Sequence, residues 1–401
     1  MPRLEKCRKL EQPGQEAGRI ADIFTRGFNV ASGINLCIMM AYYMIFMTGT
    51  LYVQEVYKAD LSTAGFSSSV MVIGCVVGRF FSGNLLSMLG YRNLLAVGIT
   101  SFTASIYGFF LVDSLFWLFA ERLWTGISIG LIGTVTGTLA AVMVPQKQRG
   151  LGVSIFSMST ALAMAAGPFL GLMFNEMLPY TVVVHLSAGT GLVSALFFLC
   201  LGPVPPTSQP TRPAMDLKRF IDVRVIPFGT VALLACLSYG CLQAFLAPFS
   251  LERGLVEVAV VYFPLYAGSM LAIRPFSGRA LDRFGENVVF LPSLAIMALA
   301  YVVMAYANSG AMLLLSSVLL GISLGNFASA GHAVSLKLVT KSRFAQATTT
   351  YFILFDIGLG IGPYLFGYVV KLYGFYGLFL SLSLLSALSG VLYWFVHGRR
   401  L

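Results

Sequence analysis

The sequence predicts an all-α membrane protein of twelve transmembrane helices, arranged as two pseudo-symmetric bundles of six. Three observations predict it. First, 57% of the 401 residues are hydrophobic and only 10% are charged. Soluble domains carry about 25% charged residues, so this chain could not cover a large water-exposed surface. Second, the apolar residues come in runs long enough to cross a bilayer. TVVVHLSAGTGLVSALFFLCLG (181–202) has no acidic or basic residue beyond His185. LPSLAIMALAYVVMAYA (291–307) has no ionisable side chain except its tyrosines. About 20 such residues span the hydrocarbon core as a helix, which satisfies its own backbone hydrogen bonds in lipid. Third, landmarks of the first half return in the second at a constant offset of 195 residues. GISIG (126–130) returns as GISLG (321–325), and RFFSG (79–83) as RPFSG (274–278). Gly167-Pro168 returns as Gly362-Pro363, and Gly90 as Gly285.

The elements follow in order. Residues 1–28 are polar and mixed in charge, without the apolar core of a cleavable signal. The first bundle, 29–202, holds spans near 31–54, 64–86, 93–112, 114–143, 151–174 and 180–202. A cytoplasmic linker, 203–224, contains PVPPTSQPTRP (203–213), whose prolines favour an extended chain. The second bundle, 225–401, holds spans near 225–250, 258–281, 287–307, 311–336, 345–370 and 374–397.

Charge orients these spans. Of the 26 Lys and Arg, only Lys58, Arg253 and Lys371 fall in loops on one side, and Arg79, Arg122 and Arg274 lie inside helices. The rest fall on the side of the two termini. Positive loops stay in the cytoplasm, so both termini are expected there, in a cell (inner or plasma) membrane. The net charge of +10 is then a topology signal. The basic residues are scattered over loops, which argues against nucleic acid as a partner.

Parallel six-helix repeats are a mark of secondary transporters, and the motifs resemble the major facilitator superfamily over essentially the whole chain. The family's loop between spans 2 and 3 reads G-x-L-a-D-r-x-G-r-r. Here it is GNLLSMLGYR (83–92), where Gly83, Gly90 and Arg92 fit but Ser87 stands in place of the Asp. The second copy, GRALDRFGEN (278–287), keeps Gly278, Asp282, Arg283 and Gly285. The resemblance implies that these residues form a gate. ERLWTGISIG supplies Arg122, Gly126 and Gly130 of the fourth-span motif. For Arg122 and neighbouring Glu121 the resemblance implies proton coupling; a purely structural pair between the two is the alternative. AMAAGPFLG (163–171) resembles the antiporter signature, with Gly167, Pro168 and Gly171, and GIGPYLFG (360–367) repeats Gly362 and Pro363. Matched helix pivots are expected at both.

Asp356 is the sharpest single residue: a carboxylate inside the apolar run YFILFDIGLGIGPYLFG (351–367). Ionisable groups within a membrane mark ion pathways by default, so Asp356 is a second proton-coupling candidate, with a salt bridge to an arginine as its structural alternative. Polar residues of the inner spans are candidates to line a substrate cavity: Asn35, Tyr42, Tyr43, Thr48, Thr125, Tyr239, Gln243, Asn326 and His332, with Arg79 and Arg274. His185 and His397 read as incidental.

The function expected is export of small lipophilic compounds or metabolites by proton antiport and alternating access. A dedicated metabolite or metallophore exporter, and uptake of an organic anion, are the alternatives. An enzyme is not expected: there is no acid pair, catalytic dyad or metal-ligand spacing. No phosphate-cradling loop is present, so ATP is not the expected energy source. The expected partners are a small-molecule substrate, protons and the lipid bilayer, the expected state is a monomer, and no cofactor or metal is expected.

Overall fold

The computed structural model describes residues 23–145, 149–204, 221–340 and 344–400. Most of the 203–224 linker and residues 1–22 lie outside the described residues. The described chain is helical, with no strand among the described residues. Its ten long helices are α1 Arg26–Tyr57, α2 Leu61–Gly108, α3 Leu115–Met143, α4 Arg149–Met177 and α5 Tyr180–Leu199 in the first half. The second half has α6 Ile226–Arg253, α7 Val256–Phe284, α8 Asn287–Ala305, α9 Gly310–Lys337 and α10 Phe344–Val396.

Two of these are too long to be one span. At 48 residues α2 would be about 72 Å long, more than twice the hydrocarbon thickness of about 30 Å. α10 is longer still, at 53 residues. Each contains one glycine with positive φ: Gly90 at 76° in α2 and Gly374 at 65° in α10. Left-handed backbone without a steric penalty is what glycine supplies, so the chain breaks there without a loop. Each of these helices therefore holds two spans, which accounts for twelve. The expected separate spans 64–86 and 93–112 meet at Gly90, and 345–370 and 374–397 meet at Gly374. The short connection Lys58–Asp60 works differently. Lys58 leaves α1 in the left-handed region at φ 50°, and Asp60 Oδ1 accepts from Thr63 N at 3.2 Å to cap α2.

The repeat is preserved in space. A side-chain carbon on Gly126 would run into the Met71 carbonyl, and one on Gly130 into that of Cys75. In the second half the same carbon on Gly321 would meet the Tyr266 carbonyl, and on Gly325 it would meet Met270. Met71 and Tyr266, and likewise Cys75 and Met270, stand at the same offset as the glycines themselves. Each GIS-G motif is therefore the point where the fourth helix of a half crosses the second at backbone contact. Small residues at such crossings let membrane helices pack by van der Waals contact where no hydrophobic drive exists between them.

Twelve spans bring the start of α1 and the end of α10 to one end of the molecule. Arg26 Nε donates to the Cys200 carbonyl at 2.8 Å, and Asn287 Nδ2 to the Gly398 carbonyl at 2.9 Å. The opposite, far end carries the connection at Asp60 and the tyrosine pair Tyr306–Tyr376.

Candidate functional site

α2 and α10 form one seam between the halves, and its packing is graded from the far end toward the middle. At the far end Lys371 Nζ stands 3.7 Å from Asp60 Oδ2, both largely in the open. The Asp60 carboxyl is held below its usual range, first by hydrogen bonding to Thr63 and also by Lys371. Next, Ser62 Oγ donates to the Tyr364 carbonyl at 3.4 Å, and the Phe66 and Tyr364 rings lie 5.2 Å apart. Deeper, Gly65 sits so close to the Pro363 carbonyl that a Cβ there would approach it to 2.6 Å. About two turns further along α2, Val72 fills the space in front of Gly360. At the deepest level Arg79 Nε stands 2.9 Å from Asp356 Oδ2.

That ion pair is the one buried charge contact across the seam among the described residues. The Asp356 side chain is 11% exposed and that of Arg79 30%. The two atoms are poorly aligned for a hydrogen bond, and neither has a hydrogen-bond partner among the described residues. The contact is therefore coulombic. Tyr42 and Tyr43 of α1, packed edge to face at 4.9 Å, lie within electrostatic reach of the pair. Four of the residues named from sequence, Asp356, Arg79, Tyr42 and Tyr43, are thus brought together.

Arg122 and Glu121 are elsewhere, inside the first half. Arg122 Nη2 donates to the Tyr180 hydroxyl at 2.9 Å, and Nη1 lies 3.3 Å from Glu121 Oε2. Its guanidinium also faces the Phe109 ring at 6.0 Å. Thr125 belongs to this cluster, bonding Glu121 Oε1 at 2.8 Å.

The remaining candidates divide. Asn35 Nδ2 ties α1 to α4, donating to Ser159 and Thr160 at 2.8 and 2.9 Å. Thr48 bonds back to the Met44 carbonyl within its own helix. Gln243 Nε2 donates to the Tyr239 hydroxyl at 3.0 Å, and Tyr239 stacks on Tyr266. Gly167 and Gly171 press α4 against α1 at Tyr43 and Met44, and Gly362 presses α10 against α6 at Leu237. The helices continue through Pro168 and Pro363. Of the gate motif, Gly90 and Gly285 have positive φ, 76° and 85°. A Cβ on Gly83 would meet nothing. Arg92 lies over Phe198, and Arg283 over Phe284. Gly278 is helical, and the side chains of Arg274, Asp282, Asn326 and His332 lie outside the described residues.

The second seam, α4 against α7, leaves a half-open cavity of about 360 Å³ where α1 also meets it. Ala161, Leu162 and Ala165 of α4 and Ala267 and Leu271 of α7 line it, with Ser32 and Ser159 its polar contacts. Both halves thus contribute to one apolar space.

One cluster escaped the sequence. Glu286, at the start of α8, is paired with the His397 ring and with Lys337 Nζ at 3.0 Å. His397 is therefore not incidental: it anchors the end of α10. The signal available was Glu286 itself, an acid directly after Gly285 where the loop motif has a basic residue.

A sequence model of the Major Facilitator Superfamily matches residues 31–285 and 232–400. The chain belongs to this superfamily. It is 26% identical to the MFS-type transporter YfkF of Bacillus subtilis, over 84% of this chain and 86% of that one. It is 22% identical to the multi-drug resistance efflux pump PmrA of Streptococcus pneumoniae, over 81% and 84%. Among solved structures, it superimposes on a POT family transporter with TM-score 0.78 and 16% identity, covering 93% and 96% of the two chains. It also superimposes on an inward-facing bacterial homologue of Spinster, with TM-score 0.73 and 14% identity. The protein is therefore a multi-pass membrane transporter of the MFS fold rather than an enzyme.

Proposed function

We propose that this MFS protein exports small lipophilic compounds by proton antiport, alternating access between the two faces of a cell membrane, with both termini in the cytoplasm. The observation that carries the reading is the Arg79–Asp356 ion pair across the α2–α10 seam. Attraction between opposite charges is strong where water is scarce, so an ionised Asp356 latches the far end of the halves together. A proton on Asp356 removes that attraction. Asp356 thus carries either the latch or the proton, and proton occupancy is tied to whether the far end can open. The apolar lining of the α4–α7 cavity, free of charged residues, favours lipophilic cargo over an organic anion or a charged chelator. Similarity to a multi-drug efflux pump supports export.

The test is transport in proteoliposomes under an imposed pH gradient, with a panel of lipophilic compounds. The wild type accumulates substrate uphill, and Asp356→Asn loses uphill accumulation while still equilibrating substrate. Uphill accumulation by Asp356→Asn at the normal rate overturns the reading.

A further inference from the structure

With the far end closed, Gly65 lies against the Pro363 carbonyl and Val72 against Gly360. A proton from the far side therefore cannot reach Asp356 between α2 and α10. On the latch reading, that proton is what opens the far end, so it needs another route.

The groups within electrostatic reach of Asp356 come from three other helices: Arg79 and Cys75 of α2, Tyr42 and Tyr43 of α1, and Cys236 of α6. Of these, Tyr43 is the hydroxyl that also reaches into the second half, to Tyr239 and Tyr266. From there buried tyrosines climb to the far end. Tyr239 of α6 stacks on Tyr266 of α7, their rings 5.7 Å apart. Tyr266 lies within electrostatic reach of Tyr262, one turn along α7, and of Tyr301 of α8. The Tyr262 hydroxyl is 3.3 Å from Ser316 Oγ of α9. Depth follows the same order. Tyr239 stands about 21 Å from the far end of α6, and Tyr266 and Tyr262 about 15 and 9 Å from that of α7.

Buried hydroxyls ordinarily have a partner. The Tyr266 and Tyr301 hydroxyls and Gln243 Oε1 have none among the described residues. For packing alone, phenylalanine would serve better at Tyr266 and Tyr301, since an orphaned buried hydroxyl is costly. Gln243 Nε2 donates to the Tyr239 hydroxyl at 3.0 Å, which leaves the Tyr239 proton free to be passed on.

We propose that Tyr262, Tyr266, Tyr239 and Tyr43 form the path by which a far-side proton reaches Asp356 while the seam is shut, with buried water joining the orphaned atoms. A buried water makes about three hydrogen bonds to polar groups left without partners, and Tyr266, Tyr301 and Gln243 supply three. Each hydroxyl takes a proton from its outer neighbour as it hands its own inward, and is left neutral, as it began. The one net change is at the inner end, where the Asp356 carboxylate becomes a carboxylic acid. Gln243 relays nothing; it holds the Tyr239 oxygen in line. The path rests on the latch reading, because without a proton site at Asp356 it has no terminus.

The test follows opening itself and needs no cargo. The full-length protein carries Lys58→Cys and Leu372→Cys, labelled with a fluorophore and a quencher, and Cys7→Ser and Cys200→Ser to keep the label at the far end. It is held in phosphatidylcholine nanodiscs and mixed rapidly with acid. In this otherwise wild-type protein, emission rises as the far end opens. Tyr266→Phe, and Tyr239→Phe/Tyr266→Phe together, reach the same final emission several-fold more slowly. A relay sets the rate of protonation and leaves its equilibrium alone, whereas a merely structural residue moves the final level. Unchanged rates in both variants, or an altered final level, overturn the path and leave the latch standing. If the otherwise wild-type protein does not respond to acid, latch and path fall together. Should the double variant fail to fold, Tyr266→Phe and Tyr301→Phe decide it by the same rates.

Discussion

The two seams between the halves are mates in the sequence repeat, yet they are built in opposite ways. In the α2–α10 seam Val72 packs into the space in front of Gly360, and Arg79 meets Asp356. Their mates in the α4–α7 seam are Ala267 opposite Ala165, and Ala161 where Asp356 would be. All three of those alanines line the 360 Å³ cavity. A valine set against a glycine interlocks, whereas two alanines leave room. Duplication thus fixed where the halves touch, and divergence at a few positions made one contact a charged latch and the other an apolar space.

Breaking the latch on one side has the largest expected effect. Arg79→Ala strands a buried carboxylate, and removing one partner of a buried pair costs about 3 kcal/mol at the low end of its range, which suits a partly exposed Arg79. The lost stability is read as a drop in thermal midpoint in detergent, and Arg79→Ala/Asp356→Ala together should recover much of it. Overpacking the tight seam comes next. Gly65→Leu forces side-chain atoms into the Pro363 carbonyl and costs about 2 kcal/mol, seen in the same melting measurement. The loose seam should tolerate the same kind of change. Ala161→Leu projects into existing space and should shift stability by less than about 1 kcal/mol; a loss as large as that of Gly65→Leu would mean that the two seams do not differ in packing.

The smallest effect lies outside both seams. Burial alone would raise the Glu286 carboxyl, but hydrogen bonds from His397 and Lys337 outweigh it and hold the group below its usual range. A carboxylate depressed on folding stabilises above its unfolded pKa, and that contribution fades as pH falls through the folded one. The wild type should therefore lose thermal stability on acidification below about pH 4.3 more steeply than Glu286→Gln.

Much of the fold was legible in the sequence because a helix in lipid leaves a one-dimensional trace. Gly126 and Gly321, like Gly90 and Gly285, stood out as landmarks of the repeat at one constant offset. The fusion of spans into α2 and α10 was not legible, since hydropathy does not distinguish a one-residue break from a loop. At the site, Asp356 stood out as an isolated acid in an apolar run. Its partner did not, because Arg79 is remote in sequence and the seam that joins them exists only in three dimensions. For Arg122 the sequence offered Glu121 as neighbour, and the structure adds Tyr180, from a helix two elements later. Glu286 was missed because its partners come from α9 and from the end of α10.

The latch itself is tested most directly by distance. Spin labels at Lys58 and Leu372, both at the far end and near but outside the Asp60–Lys371 contact, report separation of α2 and α10 by pulsed electron resonance. In the wild type the distance should be short at neutral pH and gain a longer population on acidification. Asp356→Asn should show that longer population at every pH. A wild-type distance unmoved by acid, or an Asp356→Asn protein as closed as the wild type at neutral pH, would contradict the account.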